Sequence, residues 1–284
     1  MCTEECLRHA AEITASPAAP PPVSRRAALT GLTGLAGLAA VAGGALGPAT
    51  PAAAHGSSTV RDLTHPFTTA FPTFAPGEEA RRGPYKTIPD DGYYMQEWRI
   101  VEHTGTHVDA PVHFVPNGRT ATQLTPDELV LPAVTISIRR RAAHDPDTVL
   151  TVADLRAWER EWGRIPTGAA VLLHTGWDRR AGSAQRYRNA DAGGVMHFPG
   201  FGPDACEWLL SARGARCLGI DTLSLDPGDS TAYPVHFTLL GADRYGIENL
   251  TRLETVPARG ATLVVGLVPW EQGSGGPARI LALA

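Results

Sequence analysis

The stretch His103-Thr104-Gly105-Thr106-His107-Val108-Asp109-Ala110-Pro111-Val112-His113 places three histidines and one aspartate within eleven residues. All four fall at odd positions, so an extended chain would put them on one face. A helix is disfavoured, because Gly105 and Pro111 both interrupt it. A straight strand would hold His103 and His107 about 13 Å apart, at roughly 3.3 Å per residue. One ion with ligand bonds of ~2.1 Å cannot bridge that distance. Either Gly105 bends the chain so that both imidazoles converge, or the residues serve two neighbouring ions. Imidazole and carboxylate donors without thiolates suit Zn²⁺ or Mn²⁺, and an incomplete ligand set leaves a position for water. Isolated histidines are ordinarily surface or satisfied core residues. Three in register with Asp109 point instead to a metal site.

Around this stretch the chain alternates between strand and helix patterns. Ala133–Ile138, Ala169–His174, Arg216–Ile220 and Ala261–Leu267 are aliphatic runs with strand composition. Thr151-Val152-Ala153-Asp154 has the form of a capping box and predicts a helix that Gly163 closes. A second helix is expected from Pro203, a good first-turn residue, to Gly214. The alternation predicts an α/β class. No repeat or low-complexity linker divides residues 55–284, which read as a single domain.

The first 54 residues read as an address rather than as structure. A polar stretch ends in Ser24-Arg25-Arg26, an uncharged Ala/Gly-rich run follows from Ala27 to Leu46, and Ala52-Ala53-Ala54 gives an A-x-A cleavage signal before His55. Paired arginines ahead of a mildly apolar core resemble a twin-arginine export signal. The run is short and poor in Leu, Ile and Phe for a membrane anchor. The expectation is therefore an exported protein with no membrane attachment after signal removal. Removing the leader takes away Arg8, Arg25 and Arg26 with Glu4, Glu5 and Glu12, so the net charge of −4 is unchanged. It also removes Cys2 and Cys6, leaving Cys206 and Cys217 as either a disulfide or two buried thiols.

Composition narrows the function classes. Apolar residues at 43% and charged residues at 19% exclude a disordered or fibrous chain. The negative net charge and the lack of a basic stripe argue against nucleic acid as a partner. Gly273-Ser274-Gly275-Gly276 lacks the Lys-Ser/Thr of a phosphate loop, and no G-x-S-x-G elbow of a serine hydrolase occurs. Arg139-Arg140-Arg141 reads as a solvated guard at a strand end.

The His103–His113 segment resembles the H-x-G-T-H-x-D-x-P-x-H signature of the cyclase-like metal hydrolases, the family that contains bacterial kynurenine formamidase and isatin hydrolase. Asp62-Leu63-Thr64-His65-Pro66 is similar to that family's opening strand, and Gly219–Asp226 to its second block. Glu248-Asn249-Leu250 and Gly275-Gly276-Pro277-Ala278-Arg279 resemble its late blocks. The resemblance implies that His103, His107 and Asp109 are metal ligands and that His113 is the catalytic acid/base. It implies that His236 and Glu248, twelve residues apart, complete a two-metal site, with Asp243 competing as the distal carboxylate. It further implies a swivelling β/β/α-type fold and a homodimer or dimer-based assembly.

The implied activity is that of an arylformamidase, converting N-formylkynurenine and water to kynurenine and formate in tryptophan catabolism. An export signal sits awkwardly with that intracellular task, which leaves room for an isatin hydrolase-like enzyme opening a cyclic amide or a lactone. A non-catalytic metal-binding protein is the reading from another class, and it would have no reason to hold His113 in register. The aromatic residues Phe71, Phe74, Tyr93, Tyr94, Trp98 and Phe114 flank the motif and are candidates to stack on an aryl substrate. Ser224 is a candidate proton relay.

Overall fold

The computed structural model describes residues 59–284, all within one compact unit, His55–Ala284. The expected leader, residues 1–54, lies outside the described residues. The strands are β1 (Val60–Asp62), β2 (Arg81–Lys86), β3 (Met95–Arg99), β4 (His107–Asp109), β5 (Val130–Ser137), β6 (Val149–Leu150), β7 (Ala170–His174), β8 (Gly200–Phe201), β9 (Cys217–Ile220), β10 (Tyr245–Glu248), β11 (Arg259–Leu267) and β12 (Gly275–Leu283). Three longer helices are α1 (Val152–Trp162), α2 (Pro203–Arg213) and α3 (Pro234–Gly241). All four aliphatic runs form strands. Both expected helices form within a residue of their expected ends, α1 with the Thr151/Asp154 capping box in place and α2 closed by Gly214 in the left-handed conformation.

The main sheet runs β1-β12-β11-β5-β7-β9-β10-β4, and β4 pairs back to β12, which closes a barrel. Strands β5, β7, β9 and β10 are parallel neighbours, while β11, β12 and β4 run antiparallel to the strands beside them. Parallel strands covered on both faces read as continuous apolar runs. Ala170-Val171-Leu172-Leu173-His174 of β7 is such a run and is buried throughout. The alternation of side chains sorts each strand between two cores. Leu131 and Ala133 of β5 and Leu172 of β7 face the barrel interior with Ile247, Leu263 and Ile280. Val134, Ile136, Val171 and Leu173 face outward, where Leu155 and Trp158 of α1 and Leu209 of α2 pack on them. Fully burying a side chain of this kind is worth roughly 1.5–3 kcal/mol.

The same two-residue period positions the site. Val108 of β4 and Tyr245 and Ile247 of β10 point into the barrel. Their neighbours His107, Asp109 and Glu248 therefore project from the opposite face of the β4–β10 pair, where α3 lies against β10. β2 and β3 form a separate two-stranded hairpin that carries Tyr93, Tyr94 and Trp98 on or near its strands. The Arg139–Arg141 run lies exposed just past the end of β5, where it opens a short helical turn, Arg139–Ala142. Among the described residues no helix is long and apolar enough to cross a membrane.

Candidate metal centre

Gly105 bends the chain, as the first of the two sequence alternatives required. Its φ of +71° is a backbone conformation that residues with a β-carbon rarely adopt. Residues 103–113 therefore do not form one extended face. His103 precedes the bend, His107 and Asp109 sit on β4, and His113 ends a 3₁₀ turn, Pro111–His113. The bend brings the His103 and His107 rings to a centroid separation of 5.1 Å, and His113 stacks on His103 at 3.7 Å.

Two groups of possible ligand atoms result, His103/His107/Asp109 and Asp109/His236/Glu248, with Asp109 common to both. Strand register brings Glu248 to the motif, because it pairs directly with His107 across β4 and β10. Gly246 pairs with Asp109 in the same ladder. A β-carbon on Gly246 would stand 3.0 Å from Asp109 Oδ2 and 2.7 Å from Leu225 Cδ1, so its absence leaves room for the shared carboxylate. The first turn of α3 supplies His236. Asp243, the alternative distal carboxylate, is instead exposed and bonded to Arg119 Nε at 2.7 Å, because the chain turns away after α3.

Each central imidazole is anchored through Nδ1. His107 Nδ1 donates to the Gly105 carbonyl at 2.8 Å, and His236 Nδ1 donates to Asp226 Oδ2 at 2.6 Å. Both Nε2 atoms are thereby turned toward the carboxylates. His107 Nε2 lies 3.2 Å from Asp109 Oδ1 and 3.3 Å from Glu248 Oε2, and His236 Nε2 lies 3.1 Å from Glu248 Oε1. His107 Nε2 and Asp109 Oδ2 are nevertheless buried without an aligned hydrogen-bond partner. These two atoms converge with the other ligand atoms without an aligned bond, while Glu248 Oε1 accepts from the Leu225 amide at 2.9 Å. His103 presents Nδ1 to Asp109 Oδ1 at 2.7 Å and Nε2 to the Ser274 hydroxyl at 2.8 Å.

The electrostatics agree with this geometry. Burial opposes a charge on His107, yet Asp109 and Glu248 push it up to about 10. Burial likewise opposes charge on His236, and Asp226 with Glu248 raise it to about 10. Burial also disfavours ionised Asp109, but the His107 and His103 rings hold its carboxyl well below the usual carboxylate range. Two buried carboxylates thus demand positive charge at this point. A metal ion satisfies that demand where Nε2 has no aligned acceptor for a proton. Imidazole and carboxylate donors fit a borderline-hard divalent ion. His113 behaves differently. Burial pushes it down to about 4, so its ring is neutral at physiological pH.

A cavity of about 400 Å³ opens over the cluster. His103, His113, His236 and Glu248 line it, together with Phe74, Phe114, Leu223 and Tyr233. Of the aromatic candidates from the sequence, Phe74 and Phe114 line the cavity. Tyr93 and Tyr94 lie exposed at the hairpin, Trp98 packs edge-on to Phe67, and Phe71 is buried beside Tyr187. Proximity in sequence misled there, because the hairpin carries its aromatic residues away from the site. Ser224 lines the cavity and accepts from the Asp226 amide through Oγ. Three supporting residues had no assigned role in the sequence reading: Asp226, Ser274 and Asn249. Asp226 belongs to the second recognised block, ten residues before His236, and only the fold shows that the two meet.

Residues 61–227 match the family model described as Putative cyclase. This chain belongs to the cyclase family. It is 37% identical over 204 residues to the isatin hydrolase of Roseibium aggregatum, covering 68% of this chain and 76% of that one. It is 29% identical over 233 residues to the kynurenine formamidase of Bordetella avium, covering 77% and 94% of the two chains. The solved isatin hydrolase A from Ralstonia solanacearum superposes with a TM-score of 0.75 at 34% identity, over 80% of this chain and 92% of that one. Two other solved neighbours are described as a potential metal-dependent hydrolase with cyclase activity and as a predicted metal-dependent hydrolase from Bacillus stearothermophilus. The α/β class expected from the alternation of strands and helices and the family expected from the motif are both found, and the sheet closes into a barrel.

Proposed function

We propose that this cyclase-family chain is a metal-dependent amide hydrolase that cleaves the carbon–nitrogen bond of an aryl amide. Two substrates lead, the cyclic amide of isatin and the formyl amide of N-formylkynurenine. The observation that carries the reading is the convergence of His107, His236, Asp109 and Glu248, with His107 Nε2 and Asp109 Oδ2 left without an aligned hydrogen bond, beneath a cavity that His113 also lines.

His103, His107 and Asp109 would hold one Zn²⁺ or Mn²⁺, and Asp109, His236 and Glu248 would hold a second. The ion supplies Lewis-acid polarisation of the amide carbonyl and a water acidified from about 15.7 toward 7. His113, neutral through burial, takes the proton from water as the oxygen attacks the carbonyl carbon. It then returns that proton to the departing nitrogen, so amide and water become acid and amine. Stacking on His103 fixes the plane of the His113 ring. Phe114, stacked on His236 at 4.6 Å, covers one flank and keeps bulk water from the cluster.

The identity to an isatin hydrolase supports ring opening, and coverage of nearly the whole of a kynurenine formamidase supports the formamide. The deciding assay presents isatin and N-formylkynurenine side by side to protein of known metal content. Turnover of either, abolished by chelator and restored by Zn²⁺ or Mn²⁺, is the expected result. Metal-loaded protein inert toward both would defeat the reading.

Export through the 1–54 leader is part of this proposal, and the N-terminus of protein recovered from the native host tests it, with His55 expected first. So is a homodimer. Tyr85, Ile88, Tyr93, Tyr94 and Met95 expose apolar surface on and around the β2–β3 hairpin that such an assembly would cover. Sedimentation equilibrium returning a monomer would remove that part.

A further inference from the structure

Glu78 is a charged group on the cavity wall with no role in the hydrolysis described above. It lies in the turn Ala75-Pro76-Gly77-Glu78, and its Oε2 accepts from the Ala75 amide at 3.2 Å. One carboxylate oxygen is thereby fixed next to Phe74. The adjacent Glu79 is used differently, with Oε2 accepting from the Gly77 amide at 2.9 Å and Oε1 lying 3.7 Å from Arg188 Nη2. Among the described residues no lysine or arginine stands within 4.0 Å of Glu78, and none lines the cavity. Arg81 and Arg99 border a separate cleft of about 90 Å³ that Glu78 also borders.

Aromatic side chains complete this end of the cavity. Phe74 and Tyr233 lie 6.4 Å apart, and Tyr233 and Phe114 lie 5.7 Å apart, all three on the wall that includes Glu78. Ring faces carry negative potential and attract cations, and a carboxylate among them adds a full opposite charge. Away from the metal cluster, a substrate carboxylate would find no lysine or arginine on the cavity wall and would meet Glu78 as a like charge.

We propose that Glu78, with Phe74, Phe114 and Tyr233, forms a subsite for a protonated amine, so that the preferred substrate is an aryl amide or cyclic amide carrying an ammonium group and no carboxylate. The inference rests on the amide-hydrolase reading and names the charge class of its substrate. Isatin itself is neutral and lacks the ammonium. N-formylkynurenine offers an ammonium but brings a carboxylate for which the cavity wall holds no lysine or arginine.

The test is a charge series on metal-loaded protein. Formanilides bearing a meta-aminomethyl, meta-methyl or meta-carboxymethyl group are compared by kcat/KM. The matching acetophenones, which have no amide to cleave, are compared by calorimetric affinity. Wild type is expected to favour the ammonium over the methyl compound, and the methyl over the carboxylate, each by roughly 3- to 10-fold. Glu78→Gln should level the series and Glu78→Lys should invert it. Any contact between a carboxylate and the metal is common to all three proteins and cancels in their ratios. Glu79→Gln, Arg81→Gln and Arg99→Gln should leave the order unchanged.

An order that survives Glu78→Gln, or one that instead follows Arg81 or Arg99, overturns the proposal even if formanilides are hydrolysed. Acetophenone affinities that depend on Glu78, with no formanilide turned over, sustain the subsite and defeat the hydrolase reading. Absence of a charge preference in both series overturns the subsite.

Discussion

Two clusters of buried polar groups stand at the carboxyl ends of neighbouring strands, and they are built on opposite principles. In the first, Asp221 follows β9 and accepts from the Thr175 amide at 3.0 Å, the Thr175 hydroxyl at 2.6 Å and the Gly176 amide at 2.7 Å. Tyr187 reaches across to the Asn249 side chain at 3.0 Å and so ties this network to the end of β10. In the second, Asp109, Glu248, His107 and His236 come equally close, yet His107 Nε2 and Asp109 Oδ2 keep no aligned partner. A buried polar group without a hydrogen bond costs about 1–3 kcal/mol, so such groups persist where something else meets the cost. The satisfied network reads as structure. The other reads as a set of ligand atoms suited to a cation. Burial alone does not separate the two; the orientation of lone pairs does.

The sharpest way to break this contrast is Asp109→Ala, which deletes the only carboxylate common to both ligand groups. Bound metal, measured by elemental analysis, should fall and turnover should drop to background. Retention of full metal content would show that the convergence is not a metal site. His113→Asn comes next. It should lower kcat by about 10²- to 10⁴-fold while metal content stays normal, because His113 belongs to neither ligand group. Loss of metal in that variant would make His113 a ligand instead. Asp226→Asn is milder, since it removes no ligand atom and loosens the anchor on His236 Nδ1 together with the Asp226 bonds from the Val235 and His236 amides that start α3. Metal affinity should fall by about 10- to 100-fold, as read by competition with a chromogenic chelator.

The contrast also explains what the sequence could and could not reveal. Gly105 was legible, because no straight strand brings His103 and His107 to one ion and a glycine between them offers the bend. The parallel strands were legible as continuous aliphatic runs, and α1 through its capping box. His236 and Glu248 became visible only through family resemblance, because their meeting with Asp109 depends on β10 pairing with β4 over a separation of some 140 residues. Asp226 escaped even so, since its partnership with His236 Nδ1 is a matter of side-chain direction that spacing does not encode. The same limit produced the error over Tyr93, Tyr94 and Trp98, whose closeness in sequence to the motif carries no information about which way the hairpin leaves the barrel.

Asp221 sharpens the comparison from the satisfied side. Burial raises its carboxyl to about 7, and the bonds from Thr175 and Gly176 only partly offset this. In the unfolded chain an aspartate titrates near 3.9. A folded-state value above the unfolded one means stability that is fully present below about pH 4 and is lost as pH rises to about 7. Asp221→Asn cannot titrate and keeps only one acceptor oxygen. Its melting temperature should fall by roughly 2–12 °C, with metal content unchanged. The gap from wild type should narrow between pH 4 and pH 7. The metal-site histidines titrate in both proteins and cancel in the difference. A gap that widens with pH would show that the hydrogen bonds to ionised Asp221 outweigh its desolvation.

The smallest effect is expected at the cysteines, where burial dominates. Cys206 on α2 and Cys217 on β9 are both buried and free, which resolves the two alternatives open in the sequence in favour of separate thiols. Burial pushes Cys206 up to about 12 and Cys217 higher still, and the thiolate is the nucleophile in thiol exchange. At pH 8 neither thiol should react with an aromatic disulfide reagent while the protein is folded, and both should react at once in denaturant. Reductant should leave activity and melting temperature unmoved. If one thiol labels in the native state, the rate reports local opening of the packing around it, and the place to look is Cys206, whose Sγ lies 3.9 Å from the Val235 carbonyl at the start of the helix that carries His236. Labelling slowed by added metal would then tie the mobility of α3 to the unsatisfied cluster, and labelling indifferent to metal would confine the opening to the apolar core.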